Sequence, residues 1–160
     1  MSLVNPKQEG KALELEDRNF RVNSNGWTKK TSPNGQEYLE APTKDMWELI
    51  NCEEHPKLNC QQLFTWDAAI RETEKAGKRI PSDEEWSQLL KTKQDMPNPV
   101  FAGYRGTNGS FYYLSDYGYF WSSLQSGSDA WYRNLNSGYG TVRRNTNDKA
   151  YGFSVRCLKD

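Results

Sequence analysis

At 160 residues, with 21 basic and 21 acidic side chains, the chain is one domain's worth of sequence with no net charge, long enough for a real core. A neutral chain has no long-range field to steer it to nucleic acid or to an anionic membrane, and no apolar stretch approaches the roughly 20 residues of a membrane span. With 35% hydrophobic and 13% aromatic residues and a mean hydropathy of −0.97, the core must be built around a few large rings, which a disordered chain lacks.

Residues 1–18 are polar and read as a partly ordered lead-in to a single domain over 19–160. The N-terminus lacks the apolar core of a signal peptide, so the expected location is cytoplasmic, or a virion or cell surface reached by another route. Asn19 to Val22 reads as a short strand. Asn25-Gly26 and Pro33-Asn34-Gly35 mark turns, which places a β-hairpin over about 27–40. Thr43 is read as the cap of a short helix carrying Met46, Trp47 and Ile50, and 52–62 as loop.

Two helices follow. Thr65 caps the first, with Trp66, Ala69, Ile70 and Thr73 along one side and Gly77 at its end. Ser82 and Glu85 form a capping box for the second, whose buried stripe is Trp86, Leu89 and Leu90. The acidic run Asp83-Glu84-Glu85 is accounted for by the helix N-terminus, where negative charge is favoured. Beyond Pro99, short apolar groups alternate with Gly and Asn-Gly turns, the pattern of short antiparallel strands with long connections. Helices first and strands later make the fold class α+β.

Chemistry has little to build on. His55 is the one histidine, so a Ser/His or Cys/His catalytic pair has only that residue to build on. Cys52, Cys60 and Cys157 are an odd count; Cys52 and Cys60 either bridge or stay as two thiols. A Cys52–His55–Cys60 zinc site lacks a fourth ligand. No metal and no cofactor are expected, and the chain is not read as an enzyme.

The stretch from Tyr117 to Cys157 has another character. Trp121, Trp131, Leu135, Phe153 and Val155 are rigid and apolar, and most positions between them are Tyr, Ser, Gly, Asn, Asp or Thr. That mixture is favoured by antibody paratopes, where Tyr gives contact area for little lost freedom and small polar residues adapt their hydrogen bonds. Arg143 and Arg144 are a basic spot that reads equally as a solvated pair or a ligand contact.

Several motifs in order carry a family resemblance. Arg79-Ile80-Pro81-Ser82-Asp83-Glu84-Glu85-Trp86 resembles the signature of the formylglycine-generating-enzyme-like branch of the C-type lectin fold, and Phe64-Thr65-Trp66-Asp67-Ala68-Ala69 its preceding helix. Gly103-Tyr104-Arg105, Phe120-Trp121-Ser122-Ser123, Ala130-Trp131 and Gly152-Phe153-Ser154-Val155-Arg156-Cys157 complete a likeness to the Fib_succ_major paralogous-domain group over about 20–160. The resemblance implies a C-type lectin-like fold, two helices packed on short antiparallel strands with long loops. The same branch includes the variable proteins of diversity-generating retroelements. In those, copying errors at template adenines scatter Asn codons into Tyr, Ser, Asp, Gly and Thr at a C-terminal binding surface.

On that resemblance the chain is expected to be a non-catalytic module for protein recognition, with its variable region at about 117–151. The expected contacts are Ser126, Ser128, Asp129, Tyr132, Asn134, Asn136, Tyr139, Arg143, Asn145, Asn147, Asp148 and Tyr151. The expected scaffold is Trp66, Trp86, Trp121, Trp131, Leu135, Gly152, Phe153 and Val155. If Trp131 and Leu135 face the core, strand alternation turns Tyr132, Asn134 and Asn136 the other way, while residues 145–148 form a polar loop. The expected partner is a protein, not nucleic acid and not a membrane interior, and the expected state is a monomer. The alternatives are a surface or structural domain of the same fold without diversification, and an oxidase of the formylglycine-generating type. The oxidase works through a cysteine pair, whereas here only Cys157 lies in the C-terminal part. The calcium and sugar motifs of the lectins, Glu-Pro-Asn or Gln-Pro-Asp with Trp-Asn-Asp, do not occur.

Overall fold

A computed structural model describes residues 13–138 and 140–159. Its first strands follow from where the chain can reverse. Between β1 (Thr28–Thr31) and β2 (Glu37–Glu40), Gly35 takes φ +91° and Ser32 Oγ accepts the Gln36 amide at 2.9 Å. The hairpin therefore forms where the turn residues place it, with Thr28 opposite Glu40. A second reversal, closed by Ala41 N donating to Met46 O at 3.1 Å, leads into β3 (Met46–Leu49). With β4 (Gln62–Phe64) this makes a four-stranded antiparallel sheet in chain order.

Two local expectations are overturned here. Residues 46–49 form a strand and not a helix, because all four side chains are buried. Met46 belongs to one core, while Trp47 and Leu49 belong to another. A strand covered on both faces loses the polar–apolar alternation that marks a strand, and its apolar residues then mimic a helical stripe over so short a window. Thr43 Oγ1 donates to Asp45 at 2.6 Å within the turn instead of capping a helix. Asn19–Val22 is not in a strand. Phe20 N does donate to Val155 O at 2.7 Å, but the Val22 backbone is satisfied by the Gln62 side-chain amide, at 2.7 and 2.8 Å. One glutamine replaces a ladder.

Both helices form at their caps. Thr65 accepts the Ala68 amide ahead of α1 (Trp66–Lys75), and Gly77 follows at φ +71°. Before α2 (Asp83–Leu89), both arms of the Ser82–Glu85 capping box are made. Glu85 is 1% exposed and also takes two bonds from Arg79 at 2.7 and 2.8 Å. Burial raises its carboxyl pKa, and the bonds from Arg79 and the Ser82 amide more than offset this, holding it below the usual carboxylate range.

A short hairpin, β5 (Tyr104–Arg105) with β6 (Phe111–Tyr112), precedes a three-stranded antiparallel sheet of β7 (Tyr117–Ser126), β8 (Asp129–Asn136) and β9 (Val142–Asp148). Residues 145–148 thus lie in a strand, not in the loop expected for them. The C-terminal segment ties the sheets together by bridges from Phe153 to Phe64, Ser154 to Phe120 and Gly152 to Arg105. Leu158 bridges back to Leu15, which is 5% exposed, so the two described ends of the chain meet. The first twelve residues of the expected lead-in lie outside the described residues.

Tryptophans fix how the layers sit. Trp66 Nε1 on α1 donates to Ser122 O at 2.8 Å, Trp86 Nε1 on α2 to Trp121 O at 3.2 Å, and Trp121 Nε1 to Phe64 O at 2.8 Å. Each buried indole has its acceptor, and together they pin both helices to β7 and β7 to β4. Arg156 is fully buried, and no carboxylate among the described residues bonds it directly. It spans Asn19 Oδ1 and the Glu16, Pro97 and Asn98 carbonyls, and burial pushes its pKa down to about 10. Two helices and three small antiparallel sheets make the fold α+β.

Candidate functional site: a tyrosine face on the C-terminal sheet

The register of the C-terminal sheet sorts its side chains into two faces. Trp121, Tyr119 and Tyr117 on β7 stand opposite Tyr132, Asn134 and Asn136 on β8. Tyr132 and Asn134 stand opposite Asn145 and Arg143 on β9, and Ala130 opposite Asn147. Because successive side chains alternate, these share one face, while Phe120, Arg133, Leu135, Trp131, Thr146 and Arg144 share the other.

On the first face the rings form a continuous cluster. Tyr104 contacts Tyr112 at 5.2 Å, Tyr113 at 6.0 Å, Tyr119 at 5.0 Å and Tyr151 at 5.6 Å between centroids. Tyr117 meets Tyr113 at 4.9 Å and Tyr119 at 6.2 Å, and Tyr119 meets Tyr132 at 5.8 Å. Phe153, fully buried, is the floor under Tyr104, Tyr119, Tyr132 and Tyr151. The cluster comes together because Gly103 lets β5 lie close: it has φ +61°, and a Cβ there would run into the Tyr112 carbonyl.

These seven tyrosines sit half in and half out of the core. Tyr113 is 52% exposed and the other six are intermediate. Tyr112 Oη pairs with Asn108 Nδ2 at 2.6 Å, while the other six hydroxyls make no hydrogen bond within the described chain. A half-buried phenol without an internal partner keeps its polar end for water or a ligand. Burial, then the neighbouring phenols, raise the pKa of Tyr104 and Tyr119, and burial with Tyr151 raises Tyr132. The face is an array of neutral phenols over a closed apolar floor.

The polar contacts expected from the sequence divide. Tyr132 and Tyr151 are in the cluster, and Asn136, Arg143, Asn145 and Asn147 lie on the same side. Asn145 and Asn147 accept from the next backbone amide, at 2.8 Å each, and their Nδ2 groups have no internal acceptor. Arg143 is exposed and without a partner within the described chain.

Asn134 points the same way but is 9% exposed, with its amide donating to Gly118 O at 3.2 Å. It is built into the sheet and is not an open contact. Asp129 and Asp148 pair across the strands on the opposite face, together with Ser126. Ser128 is exposed at the β7–β8 turn. Tyr139 lies outside the described residues.

The opposite face explains why one scaffold expectation changes. Leu135 is fully buried against Trp86 and Phe120, but Trp131, further along the same side, is only half-buried. Arg144 lies over its ring at 3.7 Å. Helix α2 packs against β7 and β8, but Trp131 belongs to none of the buried core clusters, and a guanidinium covers its indole in place of the core. Arg144 and the 3%-exposed Arg133 both pair with Asp83, at 2.8 and 2.7 Å. Burial raises the Asp83 carboxyl, and the bonds from Arg144 and Arg133 outweigh it, leaving the pKa below the usual carboxylate value. The remaining scaffold residues, Trp66, Trp86, Trp121, Gly152, Phe153 and Val155, are buried.

Sequence reasoning missed Tyr104, Tyr112, Tyr113, Tyr117 and Tyr119, which supply most of the cluster. The available signal was the repeated choice of Tyr over Phe in and beside these short strands. No three His, Cys, Asp or Glu side chains gather among the described residues, and Cys52, Cys60 and Cys157 are not joined in disulfides. No helix among the described residues is long and apolar enough to cross a membrane. Comparison with protein-family models, with curated proteins and with solved structures finds no match to this chain.

Proposed function

We propose that this chain is a non-catalytic recognition domain with a C-type lectin-like fold, and that it binds a protein partner on the tyrosine face. The observation that carries the proposal is the set of six half-exposed phenols with unpartnered hydroxyls, set over a buried floor beside unpartnered Asn145 and Asn147 amides. Rigid aromatic area with free donors is what a protein interface places at its centre. We further propose that the exposed Tyr, Asn, Ser and Arg positions of 117–151 are diversified at template adenines, since they stand on a frame of buried Trp121, Ala130, Leu135 and Phe153. The oxidase alternative is disfavoured by the thiols: Cys157 lies in the core with Trp121, Cys52 in a separate core, and Cys60 is exposed.

Panning a random peptide display library against the protein tests the binding reading. A Tyr132→Ala/Asn145→Ala variant with retained cooperative unfolding serves as the control. Enriched peptides should bind the parent at least about tenfold tighter than the variant; peptides that bind both equally would place recognition elsewhere. A near-identical downstream repeat of the coding sequence, differing only at adenines and beside a reverse transcriptase gene, is the test of diversification.

A further inference from the structure

Tyr113 is an outlier in backbone and in exposure. Its φ is +57°, a conformation that a bulky side chain rarely adopts, and Ser115 in the same turn is at +73°. The turn is held closed by Asp116 N and Tyr117 N donating to Tyr113 O at 3.1 and 3.2 Å, and by Ser115 N donating to Phe101 O at 2.8 Å. Asn or Gly would satisfy that backbone with less strain. Burial does not explain the ring, which is the more exposed of the two large hydrophobic side chains standing free of the core. Strain of this kind persists where a displayed side chain is used.

Among the described residues four cations lie over aromatic rings: Arg105 over Trp47, Arg144 over Trp131, Lys149 over Trp66 and Arg156 over Phe120. None of those rings belongs to the tyrosine cluster. Asp116, between Tyr113 and Tyr117 in sequence, is exposed and its carboxylate has no partner within the described chain. Arg143, the unpaired cation of this face, stands two strands away from Tyr119 through Asn134, roughly 10 Å. The turn after β6 therefore offers electron-rich rings and an unpaired carboxylate, while Arg105, the cation of β5, is engaged with the Trp47 ring.

We propose that Tyr113 and Asp116 are the anchor point of the face, and that they hold an arginine or lysine side chain of the partner. This rests on the binding reading above. A cation over a tyrosine ring gains from the ring quadrupole, and a rim carboxylate adds steering and orientation. The strained turn holds the ring in place before binding, so little freedom is lost on contact.

The test is an amide-resolved NMR titration with N-acetyl-arginine amide and, as an uncharged isostere, N-acetyl-norleucine amide. Saturable shifts confined to 113–117 and neighbouring cluster residues are expected with the arginine probe, about fivefold tighter than with the norleucine probe. Tyr113→Asn, which suits the left-handed backbone, should abolish the shifts while Tm stays equal or rises. Asp116→Asn should weaken them and remove their salt dependence. Equal response to both probes, shifts scattered over other surface carboxylates, no saturable shift, or retained binding in Tyr113→Asn would each overturn the assignment. The panned peptides separate this from the function itself. Peptides that need Tyr132 and Asn145 but carry no basic residue leave the face standing and remove the anchor, and the absence of any face-dependent peptide removes both.

Discussion

The two faces of the C-terminal sheet are both rich in polar and aromatic side chains, yet they are finished in opposite ways. Behind the sheet, Arg133, Arg144, Asp83 and Ser87 form a closed set. Arg133 reaches Asp83 Oδ1, Asp83 O and Ser87 Oγ at 2.7, 2.8 and 2.9 Å, and Arg144 covers both the same carboxylate and the Trp131 ring. In front, six phenols and two asparagine amides have donors with no acceptor among the described residues. Buried polar groups in a folded chain are normally satisfied internally. A set that is satisfied is structure, and a set left open at the surface is available for contact. The difference in hydrogen-bond completion, more than composition, separates scaffold from site here.

The largest expected effect comes from beneath the open face, where Trp121 packs with Phe153 and Tyr132. Its ring is fully buried, 4.2 Å from Phe153, and its Nε1 bonds the Phe64 carbonyl. Trp121→Ala should lower unfolding free energy by about 3–5 kcal/mol, read as a fall in the urea midpoint at unchanged slope. A loss under about 1 kcal/mol would mean that this ring is not part of what supports the open face.

The closed face is next in size. Arg133→Ala removes three charge-assisted bonds from a nearly dry site and should cost about 2 kcal/mol, less than a full buried pair because Arg144 still holds Asp83. The same carboxylate gives a pH signature. Its folded pKa is depressed, so its contribution is present above the ordinary carboxylate value near 4 and is lost as pH falls through the lower folded value. Chemical denaturation at neutral pH and at about pH 3 should therefore show a smaller acid loss in Asp83→Asn than in the parent. An equal loss would show that the Arg133–Asp83–Arg144 set is not what acid dissolves.

Particular residues show why part of this was legible in advance. Helix caps are local chemistry, so Thr65 and the Ser82–Glu85 box announced both helices in four residues each. The alternation that turns Tyr132 and Asn136 away from Leu135 is equally local. What failed depended on partners distant in sequence. Met46–Leu49 needed knowledge that two cores flank one strand. Asn134 needed the Gly118 carbonyl, and Trp131 needed the Arg144 guanidinium from the neighbouring strand. The tyrosine cluster draws on 104, 112 and 113 as well as 117–151, and nothing in a linear window says that β5 lies beside β7. That adjacency is made by the Gly103–Gly118 bridge.

The smallest effect on stability carries the most weight for function. Tyr119→Phe, Tyr132→Phe and Tyr151→Phe each delete one hydroxyl and leave the ring packing on Phe153 intact. On the closed face, deleting a donor strands an acceptor; here there is no acceptor to strand, so each change should stay within about 0.5 kcal/mol. Binding of panned peptides should nevertheless weaken, by about fivefold per hydroxyl that meets a carbonyl of the partner. The alkaline side supplies an independent check. Folded-state pKa values of Tyr104, Tyr119 and Tyr132 are raised, so their stabilising contribution is complete below the unfolded value near 10 and is lost as pH climbs toward the raised folded values. In the Tyr119→Phe/Tyr132→Phe double variant that loss should shrink, and the phenolate absorbance of the folded protein should lose its latest-titrating component. A stability loss near 2 kcal/mol from any one of these hydroxyls would mean that the front face, like the back, is closed.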